Sequence, residues 1–413
     1  MGESAVQAPV YRHGVPAEHG TVARRDHALD GVRGLAVLLV FCVHYHTIFS
    51  AWITEDSATG TVSYVLWIVG GMGVDLFFVL SGYLIHGAVL APTARYATFI
   101  RRRARRLLPA FLAVLGVHLA IPLFLPDEYK LPADGVAAAG HLVANVLLLP
   151  GLFPIEPIVP VAWTLSYELA FYLALPLLVL GLGMRRWPAR RRVLLFAVLA
   201  AVGAIAVLAL RPGCAQLLLF VGGVLARELT QLGSWRPGRG TERLALAVLV
   251  ATFPLVYVLA APPAWTPAWN TVDAWGDASI PVVLVVLLGG VAAVLVRATG
   301  PMRRVFEWPP LGRLGEISYS YYLVHALTLK FFALAVAGIA VPTGMEPALF
   351  WLVLPTAFAV TMATSALLFV VVERPLSLTH RRAAQPPASA GAGSVDGSST
   401  SSPSPAGSKP AAR

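Results

Sequence analysis

The chain has 413 residues, of which 57% are hydrophobic and 13% charged, and its mean hydropathy is +0.72. This balance excludes a soluble globule with a single core and indicates a membrane protein with several spans. The formal charge of +10 comes mainly from arginines between apolar runs, which is typical of cytosolic loops and not of a nucleic-acid-binding surface. The two cysteines have no metal-ligand or redox spacing, so we expect no metal centre.

Both ends of the chain are polar. Residues 1–28 contain no short apolar run followed by a small-residue cleavage site, so no removable signal peptide is predicted, and the first span should direct insertion. Residues 377–413 are rich in Pro, Ala, Ser and Gly without periodicity, which predicts a disordered cytosolic tail. We therefore expect one transmembrane domain over residues 29–376.

The apolar pattern between these ends predicts an all-α polytopic bundle of ten transmembrane helices. Arginines cluster in four alternate loops, with six in 91–106, five in 184–192, four in 227–243 and four in 297–316. The positive-inside rule places these loops in the cytosol, and an even number of spans puts both termini of this multi-pass plasma-membrane protein there too. The predicted spans are 31–50, 62–90, 107–126, 163–183, 193–210, 214–230, 244–262, 278–297, 317–338 and 348–372.

Residues 137–161 are apolar but are interrupted by four prolines. If this stretch crossed the membrane, the arginines of 184–192 would lie on the outer side, against the charge pattern. We therefore predict that it is a re-entrant or interfacial segment on the outer side, with its backbone covered by protein or lining a cavity.

Two ionisable residues lie in the first predicted span, where a charge is costly. Arg33 and His44 are eleven residues apart, which is about three helical turns, so both project from one face about 16 Å apart. Intramembrane ionisable residues usually mark a functional path. The alternative is that Arg33 reaches the lipid headgroups and His44 only packs between helices.

Three more ionisable residues lie in later spans. Asp75, within GVDLFFVLSGY, must be partnered or neutral in the membrane. Arg33 or another arginine is the expected partner, and Asp75 is either catalytic or part of an ion pair that locks two helices. Glu168, in WTLSYELAFY, is predicted about one turn inside the outer boundary, where it would contact an acceptor or orient a histidine. His325 ends the tyrosine-rich sequence GEISYSYYLVH.

An arginine run precedes the third span, in FIRRRARRLLP. Arg101 and Arg102 fit an ordinary positive-inside anchor. Arg103 and Arg106 share a helix face at a spacing of three and are suited to clamp phosphates, although the anchoring role is open to them as well. The sequence VVERP closes the last span at the predicted cytosolic boundary.

These motifs, in this order over residues 29–376, resemble the acyltransferase 3 family. Its members are integral membrane enzymes that transfer acetyl or larger acyl groups from acyl-coenzyme A to hydroxyls. Their acceptors are polysaccharides, glycolipids, or sugar-bearing natural products such as macrolide antibiotics. Many polysaccharide-modifying members carry an additional hydrolase-like domain; here only the polar tail follows, which favours a small or lipid-linked acceptor.

The resemblance implies two groups of site residues. The arginines that bind acyl-coenzyme A are Arg33, Arg103 and Arg106. The catalytic residues are His44 as general base, with Glu168 and His325, and the buried carboxyl of Asp75 joins them as a candidate.

The resemblance also implies acyl-coenzyme A, most simply acetyl-coenzyme A, as co-substrate, with no permanently bound cofactor. The expected partners are a carbohydrate-containing acceptor and the lipid bilayer, without nucleic acid. The alternative from another class is a transporter or exporter of an anionic lipid or metabolite, whose translocation path uses the same buried residues.

The ten-span topology predicts which loops can be labelled from outside the cell. In a variant without native cysteines, a cysteine introduced in 184–192 should react with a membrane-impermeant maleimide only after permeabilisation. A cysteine introduced in 262–277 should react in intact cells. Labelling of both loops from outside would contradict this topology.

Overall fold

The computed structural model describes residues 26–54, 57–210, 215–260, 279–339 and 347–378. The regular elements in this part of the chain are all helices, which confirms the predicted all-α class. Most of the predicted N-terminal segment and nearly all of the predicted tail lie outside the described residues. So does Cys214.

The described residues form fourteen α-helices, and the last of them continues as a π-helix over Phe369–Leu378. In chain order they are α1 His27–Phe49, α2 Ala58–Gly70, α3 Met72–Leu90, α4 Tyr96–Ala120, α5 Gly135–Val146, α6 Trp163–Gly181, α7 Ala189–Leu210, α8 Leu217–Leu229, α9 Arg239–Ala260, α10 Ser279–Leu295, α11 Pro301–Phe306, α12 Pro309–Glu316, α13 Ser318–Ile339 and α14 Pro347–Leu368.

Each of the ten predicted spans overlaps a helix, and the second, 62–90, overlaps both α2 and α3. The count of ten crossings is not confirmed. Eight helices of the described part are long and apolar enough to cross a membrane, with α2 and α3 counted as one. The other two predicted spans correspond to α8, with 13 residues, and α10, with 17. A crossing helix needs about 20 apolar residues, so neither reaches that length within the described ranges.

The proline-rich stretch before α6 does not form a spanning helix. Its one α-helix, α5, has 12 residues, and irregular chain follows it. The Asn145 side chain holds this chain in place: its Nδ2 donates to the His141 and Glu156 carbonyls, and its Oδ1 accepts from the Ile158 backbone N–H at 2.8 Å. Ile158 itself is buried, so protein covers part of the irregular backbone, as predicted.

Helix α1 lies at the centre of the bundle and contacts α2, α3, α12 and α13. Its N-terminus is capped by Asp26, whose side chain accepts from the Ala28 backbone N–H at 3.1 Å. The outer helices expose apolar side chains instead: Leu194 on α7 is 65% exposed and Leu352 on α14 is 72% exposed. Such surfaces suit contact with lipid.

Two glycines allow α3 and α8 to touch backbone to backbone. A Cβ atom at Gly82 would lie 2.0 Å from the Phe220 carbonyl oxygen, and one at Gly223 would lie 1.9 Å from the Val79 carbonyl oxygen. Small residues at such positions let helices approach closely where no hydrophobic effect drives them together. The contact fixes the rotation of α3, and with it the face that α3 turns toward the site described below.

Gly223→Val should therefore separate α3 from α8. Overpacking at a backbone contact costs about 3 kcal/mol or more, so we expect the melting temperature in detergent to fall by about 5 °C or more. Gly116→Val is the matched control, because Gly116 lies on α4 with open space where its Cβ would be. Equal melting temperatures for the two variants would contradict the close contact.

Candidate active site

A cavity of about 100 Å³ lies between α1, α3, α4, α6 and α13. Three arginines line it: Arg33 from α1, and Arg103 and Arg106 from α4. We call it the arginine cavity. The three arginines predicted to bind phosphates thus come together although one of them lies about seventy residues before the other two. Ser81, Thr164, Tyr172, Ser318, Tyr319 and Tyr322 add hydroxyl groups to the lining.

The arginines are held by different contacts. Arg33 donates from Nη1 to the Asp30 carboxylate, one helical turn earlier, at 3.0 Å. Among the described residues neither Arg33 nor another arginine forms an ion pair with Asp75, so the expected partner of Asp75 is wrong; the carboxylate that pairs with Arg33 lies on its own helix. The Arg103 guanidinium lies 5.4 Å from the Phe99 ring centre and 5.3 Å from that of Tyr172, distances typical of cation–π contacts.

Glu168 also lines the arginine cavity, and its predicted depth, about one turn inside the outer boundary, stays a prediction. Helix α6 begins inside the bundle, since Val161 and Ala162, immediately before it, are both buried. One turn further along the helix, the Glu168 carboxylate accepts hydrogen bonds from the hydroxyls of Ser81, at 3.0 Å, and Tyr172. It orients these hydroxyls and does not contact a histidine.

The two predicted histidines meet. The ring centres of His44 and His325 are 4.7 Å apart and the rings are inclined at 70°. His325 is fully buried, and its Nδ1 is 2.9 Å from the Tyr321 carbonyl oxygen. A carbonyl only accepts, so Nδ1 carries the proton and Nε2 of the neutral ring keeps a lone pair. That Nε2 has no hydrogen-bond partner among the described residues, and His44 is only partly buried.

Tyr322 stands between the histidines and the arginine cavity. It lines the cavity, and its ring centre is 5.9 Å from that of His325. Its hydroxyl accepts from Thr164 at 2.6 Å and donates to the Val161 carbonyl at 3.0 Å. Neither His44 nor His325 lines the cavity itself. The histidine pair therefore lies behind a wall that contains Tyr322.

Asp75 is not brought to this site. At helical spacing it shares a face of α3 with Val79 and Gly82, both of which contact α8. The cavity is lined by another face, which carries Val74 and Ser81. Asp75 is 6% exposed, and no hydrogen bond or ion pair joins it to another residue in the described ranges. Its catalytic role stays a prediction without a contact to support it.

Sequence reasoning missed a second buried carboxylate near the site. Glu373 is 3% exposed, lies in the π-helix and accepts from the Ser320 hydroxyl at 2.5 Å. Its motif had been interpreted as a boundary of the membrane domain. The sequence did hold one indication of this hydrogen bond, because Ser320 places a hydroxyl in the tyrosine-rich sequence GEISYSYYLVH that can donate to a carboxylate.

A third carboxylate, Glu228 on α8, forms a buried cluster away from the arginine cavity. Its Oε1 accepts from Arg192 Nε at 2.7 Å and is 2.5 Å from His86 Nε2. Arg192 also donates to the Trp187 carbonyl at 2.5 Å. This arginine, interpreted from sequence as a loop charge, ties α7 to α3 and α8.

Comparison with known proteins supports the resemblance seen in the motifs. A family model for an acyltransferase domain, acyltransferase 3, matches residues 26–370. The acyltransferase MdmB of Streptomyces mycarofaciens is 30% identical over 339 residues, which cover 74% of this chain and 79% of the relative. No solved structure matches the chain significantly.

Two further relatives cover similar shares. The membrane-bound transacylase BcsY of Komagataeibacter xylinus is 29% identical over 73% of this chain and 72% of its own length. The exopolysaccharide production protein ExoZ of Rhizobium meliloti is 28% identical over 75% of this chain and 90% of its own length. These matches give no support to the transporter alternative.

Of the two carboxylates predicted to be catalytic, Glu168 lines the arginine cavity and Asp75 does not, so their replacement should have different effects. Glu168→Gln should lower acyl transfer about tenfold or more, because the amide oxygen accepts from Ser81 and Tyr172 without the negative charge that strengthens these hydrogen bonds. Asp75→Asn keeps the shape of a residue that faces α8, so the folded variant should keep its kcat within about threefold. Turnover of both variants should be measured per folded molecule; the reverse order of losses would contradict the assignment.

Proposed function

The chain belongs to the acyltransferase 3 family, and on that premise we propose that it moves an acetyl or other short acyl group from acyl-coenzyme A to a hydroxyl of a carbohydrate-containing acceptor. The name of ExoZ, an exopolysaccharide production protein, supports the carbohydrate acceptor. The observation that carries the proposal is the convergence of three arginines on one cavity beside a pair of histidines.

The arginine cavity suits the donor because three guanidinium groups line it. Among its described lining residues, three arginines stand against the single carboxylate of Glu168. Arginine is the preferred side chain for phosphate because its planar guanidinium can donate two parallel hydrogen bonds. The phosphates of acyl-coenzyme A would bind here, and the pantetheine arm would extend toward Tyr322 and the histidines.

The histidine pair suits the proton transfer that the reaction requires. As the acceptor oxygen attacks the thioester carbonyl, a neutral His44 ring takes the hydroxyl proton. The carbon–sulfur bond then breaks, and the coenzyme A thiolate leaves and receives a proton. His325 Nε2, with its lone pair facing a buried site, can accept from the His44 N–H and so orient the base. A positioned general base contributes about 10²- to 10⁴-fold.

We propose further that the arginine cavity opens toward the cytosol of a plasma-membrane protein. Two of its arginines belong to the run over residues 101–106, which the charge pattern assigns to the cytosolic side. Acyl-coenzyme A is made in the cytosol, so the donor would meet the cavity without crossing the bilayer.

The proposal is tested with the purified protein, acetyl-coenzyme A and a panel of glycosides and oligosaccharides. We expect release of free coenzyme A that depends on the acceptor, together with an acylated product seen by mass spectrometry. Coenzyme A release at the same rate with and without every acceptor, and no acylated product, would contradict it.

The arginine pair on α4 has its own test. Replacing Arg103 and Arg106 together by alanine should raise the KM for acetyl-coenzyme A about tenfold or more, because two charge-assisted contacts to phosphate are lost. Arg101→Ala with Arg102→Ala is the matched control, since both side chains are exposed and neither lines the cavity. If the KM for acetyl-coenzyme A is unchanged when Arg103 and Arg106 are replaced, these arginines only anchor the helix at the membrane surface.

His44→Asn separates base chemistry from packing. Asparagine keeps a hydrogen-bonding group of similar size but cannot accept a proton near neutral pH. We expect normal insertion and donor binding, with kcat lowered about 10²-fold or more. His325→Asn should lower kcat less, because its lone pair only orients His44. If His44→Asn keeps most of its turnover, His44 is a packing residue and the base lies elsewhere.

A further inference from the structure

A second cavity, of about 200 Å³, lies between the end of α4, the chain around residue 130, the turn before α6, and α13. We call it the lysine cavity, because Lys130 and Lys330 line it together with Glu128 and His118. The Lys330 ammonium donates to the Glu128 carboxylate. Lys130 Nζ lies 3.4 Å from the Pro157 carbonyl and 3.9 Å from the largely exposed Glu156 carboxylate.

The two cavities are neighbours along α13. Tyr322 lines the arginine cavity, and the next residue, Leu323, lines the lysine cavity. The chain also passes from one cavity to the other at the start of α6. Val161, just before the helix, lines the lysine cavity, and Thr164, in its first turn, lines the arginine cavity. The hydrogen bonds that join Tyr322, Thr164 and Val161 therefore form the partition between the two spaces.

The histidine pair lies at the level of this partition. His325 lies in the turn of α13 that contains Leu323 and Ala326, which line the lysine cavity, but its ring projects from another side of α13, toward His44 on α1. Ala326 and Lys330 also line an open groove beside Ile48, which lies one turn beyond His44 on the same face of α1. The groove therefore connects the lysine cavity, at Ala326 and Lys330, with the face of α1 that carries His44.

We propose that the lysine cavity binds the acceptor, and that the acceptor is an amphipathic glycoside. This inference rests on the proposed acyl transfer and adds the acceptor's class and its binding site. The sugar hydroxyls would contact the ion pair of Lys330 with Glu128 and the His118 ring. Each of these groups can donate to or accept from a hydroxyl.

The amphipathic class follows from the rest of the lining. Most of the other lining residues are aliphatic or aromatic, among them Leu119, Ile121, Leu125 and Phe331. Beside them, in the same short stretch of chain, Leu123 is 80% exposed and Phe124 is 83% exposed. Large apolar side chains so exposed in a membrane protein suit contact with lipid, so an acceptor with an apolar chain would reach the cavity from the bilayer.

The arrangement also explains how two unlike substrates avoid each other's sites. Three guanidinium groups line the arginine cavity, which suits phosphates. The lysine cavity has its best-placed ammonium group neutralised by Glu128, which leaves a polar but less charged surface for hydroxyls. The substrates would approach the partition from its two sides, with the thioester and the hydroxyl meeting beside Tyr322.

The test uses full-length protein in nanodiscs and n-octyl β-D-glucoside with a photoreactive diazirine in its alkyl chain. We expect light to attach the probe to peptides from residues 118–131 and 323–331, and free glucose to compete poorly. Ala326→Trp, which fills the cavity, should abolish this labelling. Ala335→Trp is the matched control, because Ala335 lies on the exposed side of α13.

Kinetics give an independent readout. With an acceptor that the unmutated enzyme acylates, Ala326→Trp should raise the acceptor KM about tenfold or more and leave the KM for acetyl-coenzyme A unchanged. Lys330→Gln, a milder change on a half-exposed side chain, should raise the acceptor KM in the same direction. If Ala326→Trp fails to fold, the Lys330→Gln variant decides the question.

The outcomes separate this inference from the proposed function. If the unmutated enzyme transfers acyl groups but both variants keep the acceptor KM, or the probe labels other peptides, the acceptor site is overturned and the acyl transfer stands. If Lys330→Gln changes only stability, the ion pair with Glu128 is a structural lock, which also overturns the inference. If no acceptor supports coenzyme A release, the proposed function itself fails, and the inference that rests on it fails with it.

Discussion

Ionised side chains inside a membrane bundle must be compensated by nearby charges or hydrogen bonds, because no water is present to solvate them. Arg33 is compensated by Asp30 on its own helix, and Glu228 by Arg192 and His86 from two others. Glu168 is compensated by two hydroxyls. Three guanidinium groups line the arginine cavity. Guanidinium groups also bind phosphate, so the side chains that the bundle must compensate are the ones proposed to bind the donor.

Compensation also explains why the proposed catalytic histidines lie apart from the arginines. The histidines lie behind Tyr322, away from the arginines, where a neutral imidazole is not opposed by a nearby guanidinium and can keep its lone pair for the hydroxyl. The Tyr322 hydroxyl accepts a hydrogen bond from Thr164 and donates one to the Val161 carbonyl. The hydroxyl in the wall between the cavities is therefore fully hydrogen-bonded. Three neighbouring regions along α13 thus have three proposed roles. The arginine cavity binds the donor phosphates, the histidine pair transfers the proton, and the lysine cavity binds the acceptor hydroxyls.

Much of this could be predicted from the sequence. Apolar length located the helices, and the motifs brought Arg33 together with Arg103 and Arg106 and brought His44 together with His325. What could not be predicted depends on packing. The meeting of Glu168 with Arg103 and Arg106 in one cavity follows from how α6 packs against α4, which hydropathy does not show. The orientation of Asp75 follows from the rotation that Gly82 fixes against α8, and a helical wheel alone does not reveal which neighbour a face meets. The count of ten spans stays a prediction, since α8 and α10 have 13 and 17 residues within the described ranges.

The measurement that tests the central claim most directly is an experimental structure of the protein with a non-hydrolysable thioether analogue of acetyl-coenzyme A. The account predicts phosphate density in contact with Arg33, Arg103 and Arg106, with the acyl end of the analogue past Tyr322 and beside the rings of His44 and His325. Phosphate density in the lysine cavity, or an acyl end that lies on the side of α3 that faces α8, near Asp75, would contradict it.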